Sequence, residues 1–294
     1  MPTEPSPTVR RRELGARLRS LRLEAGLSVD EVTQHLLCSP AKVSRMESGQ
    51  RGVSARDIRD LCALYGVTDP EKQRLSALAR AGKEKAWWAP FDLPTSLSRY
   101  IGLEAEAVAI RIFDGGCVPG LLQTEDYIRA MLAIAEPPFT EAVADERVAS
   151  RLKRQELLTT SNAPSVEVIL DEAVLHRVVG SHAVMTAQLK RLLQYAGLPN
   201  VTVRVIPFAA GTRTAEATNF TILAFAPEVL NDVVFLEQMT GGIFLEDETD
   251  SAWHRRFFEQ VTGTALTPEE TSALITAKLR YYQPRAHDTE EVRT

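Results

Sequence analysis

Apolar positions in the first eighty residues recur with a helical period. From Arg11 to Ala25, Leu14, Leu18 and Leu21 fall at i, i+4 and i+7, one stripe of an amphipathic helix, and Gly26 supplies its stop. Ser28-Val29-Asp30-Glu31 matches a capping box, opening a short second helix that buries Val32 and Leu36. Leu37-Cys38 break the pattern. Ser39 then acts as N-cap and Pro40 as the first helical residue, where a missing N–H costs nothing, so a third helix runs from Pro40 to Ser48 before Gly49. Ser54 and Asp57 cap a fourth helix to Tyr65, with Ile58, Leu61 and Cys62 inward. Asp69-Pro70 start a fifth, carrying Leu75, Leu78 and Ala79.

Farther along, the period changes. Residues 81–86 are small and charged and read as a linker. Ser96 to Phe113 reads as a helix on Leu97, Ile101, Leu103, Ala107, Ile110 and Phe113. A turn at Pro119-Gly120 precedes a helix capped by Thr124, and a long polar helix covers about Glu141 to Leu158. Val166–Leu170 is short and β-branched, as a buried strand is, and Val201–Pro207 repeats the pattern after two helical segments, which predicts a parallel βαβ crossover. Asn219–Phe225 and Asp232–Glu237 read as a hairpin, and helices over Glu248–Thr262 and Pro268–Tyr282 finish the ordered chain. The expected fold is an all-α five-helix domain over 10–80, then a helix-rich α+β domain over 87–282 with a small sheet of about four strands. Residues 1–9 and 283–294 are expected to be tails.

Two short helices joined by about three residues are the layout of a helix-turn-helix, with Val43 and Met46 inward on the second. The run LSVDEVTQHLLCSPAKVSRMESGQRGVSARDIRDLCALYGV resembles the five-helix, lambda repressor-like domain of XRE/Cro-type regulators. The resemblance implies that Ser39, Pro40, Ala41, Lys42, Ser44 and Arg45 reach base edges or nearby phosphates. A guanidinium can bond two acceptors of guanine, which makes Arg45 the candidate for direct readout. It also implies a structural pair between Arg22 and Glu47. Arg10, Arg11, Arg12, Ser28, Gln50 and Arg51 are placed near the phosphate backbone; about five cations on phosphates would give a log–log salt slope of about −4 to −5. One position departs from the family, which usually has Gly in the turn where this chain has Leu37.

The second half carries VPGLLQT, RLKRQELL, VILDEAVLHRVVG, QLKRLL, NVTVRVIPFAAG and FLE in that order. These resemble the C-terminal domain of actinobacterial regulators described as antitoxin-like or WhiJ-like. The resemblance implies a transcription regulator, a homodimer on double-stranded DNA, often paired with a small partner protein encoded nearby, and implies no cofactor or catalytic chemistry.

Charge sharpens this division. The whole chain of 294 residues carries a formal −5, yet residues 1–85 hold 16 Lys+Arg against 11 Asp+Glu, a net of +5, and the remainder is −10. No window approaches the roughly 18 apolar residues of a membrane span, and no signal-peptide core is present, so a cytoplasmic protein is expected, nucleoid-associated when bound to DNA. Cys38, Cys62 and Cys117 are odd in number and far apart, suggesting neither a disulfide framework nor a metal site.

Several residues of the second half suggest a ligand or partner site. Asp171 and Glu172 close a parallel strand, where open α/β sheets bind ligands, with His176 one turn later. The simpler reading is that Asp171 caps the next helix, Glu172 complements its dipole and His176 lies at the surface. Trp87, Trp88 and Tyr100 offer either an aromatic wall or packing. Arg151, Arg154 and Gln155 share a helix face that suits an anion or an acidic partner and equally suits plain solvation. The leading function is a DNA-binding regulator whose second half dimerises and receives partner or effector control. The alternatives are a DNA-bound antitoxin-like component that chiefly binds a small protein, or an enzyme fused to the DNA-binding head on Asp171, Glu172, His176 or Glu237. For the last, no nucleotide-binding loop, nucleophile elbow or metal motif is visible.

Overall fold

The computed structural model describes residues 6–84, 86–211, 218–226, 231–238 and 241–282. It divides into two compact units, the first holding Met1–Pro90 with Pro94–Ala107, the second Val108–Ala224 and Asp232–Thr294.

The first unit is helical: α1 (Pro7–Glu24), α2 (Val29–Leu36), α3 (Pro40–Glu47), α4 (Ala55–Leu64), α5 (Asp69–Ala81) and α6 (Thr95–Glu104). Its starts are written locally. Ser28, Ser39 and Ser54 each accept the N3 amide of their helix, and Glu31 returns a bond to the Ser28 amide to close the capping box. Leu14, Leu18, Val32, Val43, Met46, Ile58, Leu61 and Leu75 form the core, each such burial contributing about 1.5–3 kcal/mol.

Helix α1 begins three residues before the expected start of order. Ser6 caps it, Pro7 is its first residue, and Thr8 and Val9 are buried, so the proposed tail does not extend through residue 9. The burial comes from α6. The Ser6 hydroxyl donates to the Gly102 carbonyl at 2.6 Å, and the Ser6 amide donates to Glu106. A Cβ on Gly102 would lie 2.3 Å from the Thr8 hydroxyl and 2.9 Å from the Trp88 ring, so only glycine admits this approach. Residues 94–107 therefore pack with the helical unit.

The second unit is built on a mixed sheet. Its elements are β1 (Ala109–Asp114), α7 (Glu125–Ala133), α8 (Glu141–Gln155), β2 (Ser165–Asp171), α9 (Ala173–His176), α10 (His182–Ala196), β3 (Val201–Ile206), β4 (Phe220–Ala224), β5 (Val233–Gln238), β6 (Gly241–Leu245), α11 (Glu248–Thr262) and α12 (Pro268–Tyr282). The strand order is β3-β2-β1-β4-β5-β6, with β1, β2 and β3 parallel and the rest antiparallel. The βαβ crossover and the β4–β5 hairpin match the expected pairing.

Two strands are additional to the expected four. Strand β1 lies where a helix was expected, because Ile110 and Phe113 happen to extend the spacing set by α6. In the structure Ile110, Ile112 and Phe113 are buried between β2 and β4. Strand β6 opens on Gly241-Gly242, which a propensity argument rejects, and exists through its pairing with β5. Phe113, Ile169, Phe220, Ile222, Val234, Phe258 and Val261 form a core on this sheet. Among the described residues, no helix is long and apolar enough to cross a membrane.

Candidate nucleic-acid interface

Helices α2 and α3 present the candidate surface. Between them Leu37 adopts φ 51, ψ 51, the left-handed region, the only non-glycine with positive φ among the described residues, and its side chain is 91% exposed. The turn keeps a glycine-type backbone conformation without the glycine. A β-carbon there costs about 1–2 kcal/mol.

Helix α3 is held from beneath at two points. Arg22 grips Glu47 through Nε to Oε1 at 2.7 Å and Nη2 to Oε2 at 3.0 Å, and its Nη1 donates to the Leu27 carbonyl at 2.8 Å. Both side chains are about nine-tenths buried, and the Glu47 hydrogen bond raises the pKa of the guanidinium against the opposing effect of burial. One residue thus ties α1, the α1–α2 turn and α3 together. At Gly15 the backbones approach closely: a Cβ would lie 2.5 Å from the carbonyl oxygens of Met46 and Glu47. Val43 and Met46 fill the inward face.

The outward face carries Ser39, Pro40, Ala41, Ser44 and Arg45, all exposed. Ser39 is spent in part on its cap. Arg45 lies along the helix, its Nε donating to the Ala41 carbonyl at 3.0 Å, which leaves the rest of the guanidinium fork outward. Gln50 and Arg51 follow α3 and are exposed, the Arg51 amide donating to the Arg45 carbonyl at 3.0 Å. Ser28 is exposed within its capping box.

Three expected cations sit differently. Arg12 is 7% exposed and packs where α1 meets the end of α3, beside Gly49, so it is part of the interior and not of a phosphate-facing surface. Arg11 is half-buried near Gly82 and Thr8, and burial lowers its pKa. Lys42 donates to Asp57 Oδ1 at 2.7 Å, joining α3 to the cap of α4, a bridge that sequence spacing alone did not reveal. Arg10 lies at the surface of α1, paired with Glu13 at 3.0 Å.

Of the residues singled out in the second half, Trp88 and Tyr100 are buried, and with half-buried Trp87 they lie in the first unit. In the second unit Glu172 and His176 meet at 3.2 Å, His176 Nδ1 lies 3.0 Å from Lys278 Nζ, and Glu172 Oε2 accepts the Phe208 amide. Asp171 turns away to accept the Ala173 amide at 2.8 Å. Arg151 and Arg154 lie together beside Gly120.

A search of curated proteins returns no match. Among solved structures, the clp gene regulator ClgR from C. glutamicum is 26% identical over 26% of this chain and 96% of its own, with a TM-score of 0.21. A helix-turn-helix domain model matches residues 13–75, which span α1 to the middle of α5. A second model, described as a domain of unknown function (DUF5753), matches residues 97–277, from within α6 to α12. The chain thus belongs to the family defined by this domain of unknown function and carries it behind a helix-turn-helix DNA-binding domain.

Proposed function

We propose that this protein is a sequence-specific regulator of transcription that binds operator half-sites as a homodimer. Its second unit carries dimerisation and receives control from an effector or from a small partner protein encoded nearby. The observation that carries the reading is the exposed face of α3, a row of small side chains and one arginine on a helix locked by Arg22–Glu47. Pro40, Ala41 and Ser44 let the helix approach the major groove closely, with Ser39 at the groove edge, and Arg45 reads guanine. Arg10, Gln50, Arg51 and Ser28 contact phosphates. Lys42 steadies the helix through Asp57, and the protein needs no catalytic step. It acts in the cytoplasm, on the nucleoid when bound.

Selection of bound duplexes from a random library tests this, followed by titration at several salt concentrations. A palindromic site with half-sites about one helical turn apart is expected. With Arg12 interior, Arg11 half-buried and Lys42 bridged to Asp57, there remain Arg45, Arg51 and Arg10, whose i,i+3 pair with Glu13 a phosphate displaces, so the log–log salt slope is about −3 per half-site rather than the steeper value implied by the sequence. Arg45→Ala costs about 1–3 kcal/mol at one base position. Affinity independent of salt, or an Arg45→Ala variant with the original sequence preference, sinks the reading.

A further inference from the structure

The loop leaving the C-terminal end of β1 gathers two arginines that form no ion pair among the described residues. Asp114 closes the strand and turns back, its Oδ1 accepting the amides of Gly116 at 2.7 Å and Cys117 at 3.0 Å, while Asn219 Oδ1 accepts the Gly115 amide at 2.9 Å. Two arginines brace the same loop. Arg177 donates to the Gly116 carbonyl, and Arg151 Nη1 donates to Gln123 Oε1 at 2.8 Å. A Cβ on Gly120 would stand 3.7 Å from Arg151 Nε, so the guanidinium lies against the loop backbone.

Their acceptors are neutral. Among the described residues neither Arg151 nor Arg177 has a carboxylate within 4 Å, whereas Arg129 and Arg255 of the same unit each engage two. Arg151 is desolvated, and burial lowers its pKa. Arg151 is half-buried and Arg177 exposed, and each spends only part of its fork on a neutral oxygen, so N–H groups of both remain open to an incoming acceptor. The place is also where ligands bind open α/β sheets, beyond the C-terminal ends of parallel strands β1 and β2. Two carboxylates act on the pair from beyond ion-pair distance, exposed Glu237 on Arg151 and Asp114, within the loop, on Arg177.

We propose that the 114–123 loop, with Arg151 as principal donor and Arg177 as second, is a binding site for a small oxyanion, the carboxylate or phosphate group of an effector. Planar guanidinium forks suit such groups because two parallel hydrogen bonds form at once. The proposal rests on the regulatory reading only for the consequence of binding; occupancy itself is measured without DNA, so either can fail alone.

Calorimetric titration of the full-length protein with inorganic phosphate and with malonate, against chloride at matched ionic strength, tests it. Saturable binding of at least one is expected, and the anion that binds identifies the group. Arg151→Gln weakens it about tenfold or more, with the free protein still unfolding cooperatively. Arg177→Gln, at an exposed position, weakens it less and serves if Arg151→Gln does not fold. Glu237→Gln tightens it by removing a repelling charge. Absence of saturable binding with both anions, or binding unaltered in both arginine variants, overturns the proposal.

Discussion

Both units tie arginines into ion pairs, but they differ in what is left over. In the helical unit, nominally the basic one, several cations serve as struts: Arg22 on Glu47, Arg17 on Glu71 and Glu24, Lys42 on Asp57. In the acidic sheet unit, Arg151 and Arg177 rest on neutral oxygens. Net charge therefore misassigns both. The +5 of the head overstates what remains for DNA, and the −10 of the body conceals two guanidiniums outside any ion pair among the described residues. What a charge can do for an outside partner depends on whether its own fold has already used it.

The most severe test removes a strut. Arg22→Ala leaves Glu47 charged and nearly enclosed, and a loss of about 3 kcal/mol is expected in urea unfolding. Arg22→Ala combined with Glu47→Gln recovers part of it, since the abandoned charge, and not only the missing contact, is the cost. Arg129→Ala in the sheet unit breaks an exposed pair with Glu125 and Asp145 and costs less than about 1 kcal/mol. Equal losses at Arg22 and Arg129 would erase the distinction between strut and surface pair.

That strut was legible in the sequence because the resemblance named both ends; the helices were legible because their starts are local chemistry. Ser28, Ser39 and Ser54 announce themselves within four residues. Ser6-Pro7 carries the same signature as Ser39-Pro40, and was obscured only by the prolines around it. Strand β1 was not legible, since Ile110 and Phe113 fit a helical stripe as well as a buried strand and the arbiter is the pairing with β2 and β4, far away in sequence. The site suffered in the same way. Reading 109–114 as a strand would have put Asp114-Gly-Gly-Cys at its carboxyl end, the usual place for a ligand loop. Lys42–Asp57 was hidden because Asp57 already had an evident role as a cap partner.

Acid separates the units by sign. Burial pushes the Asp57 carboxyl up, but the Lys42 and Ser54 hydrogen bonds outweigh it and hold its pKa below the usual 3.8. Its contribution, about 1 kcal/mol for a cap with one ion pair, is complete above that value and lost as pH falls through the lowered one. Asp114 runs the other way: burial raises its pKa despite the Cys117 and Gly116 amides. The folded state binds that proton more tightly, so its contribution is greatest in acid and declines as pH rises through the raised value. In pH-resolved denaturation, Asp57→Asn should approach wild type in acid, and Asp114→Asn should gain on wild type as pH rises from acid towards neutrality. Parallel profiles would show that the two carboxylates share one environment.

The smallest expected effect probes the turn itself. Leu37 occupies a left-handed conformation with its side chain almost wholly in solvent, so no packing offsets the strain at its β-carbon. Leu37→Gly removes about 1–2 kcal/mol of strain and adds about 0.5–1 kcal/mol of unfolded-state entropy, for a net gain between about 0 and 1.5 kcal/mol. Leu37→Ala keeps the β-carbon and should be neutral, which isolates backbone conformation from any contact of the leucine. The gain belongs wholly to the first unit and should raise its urea midpoint. A loss in Leu37→Gly with no change in Leu37→Ala would mean that the turn between α2 and α3 is not left-handed and that α3 leaves α2 at a different angle. The face offered to DNA would then comprise other residues than Ala41, Ser44 and Arg45.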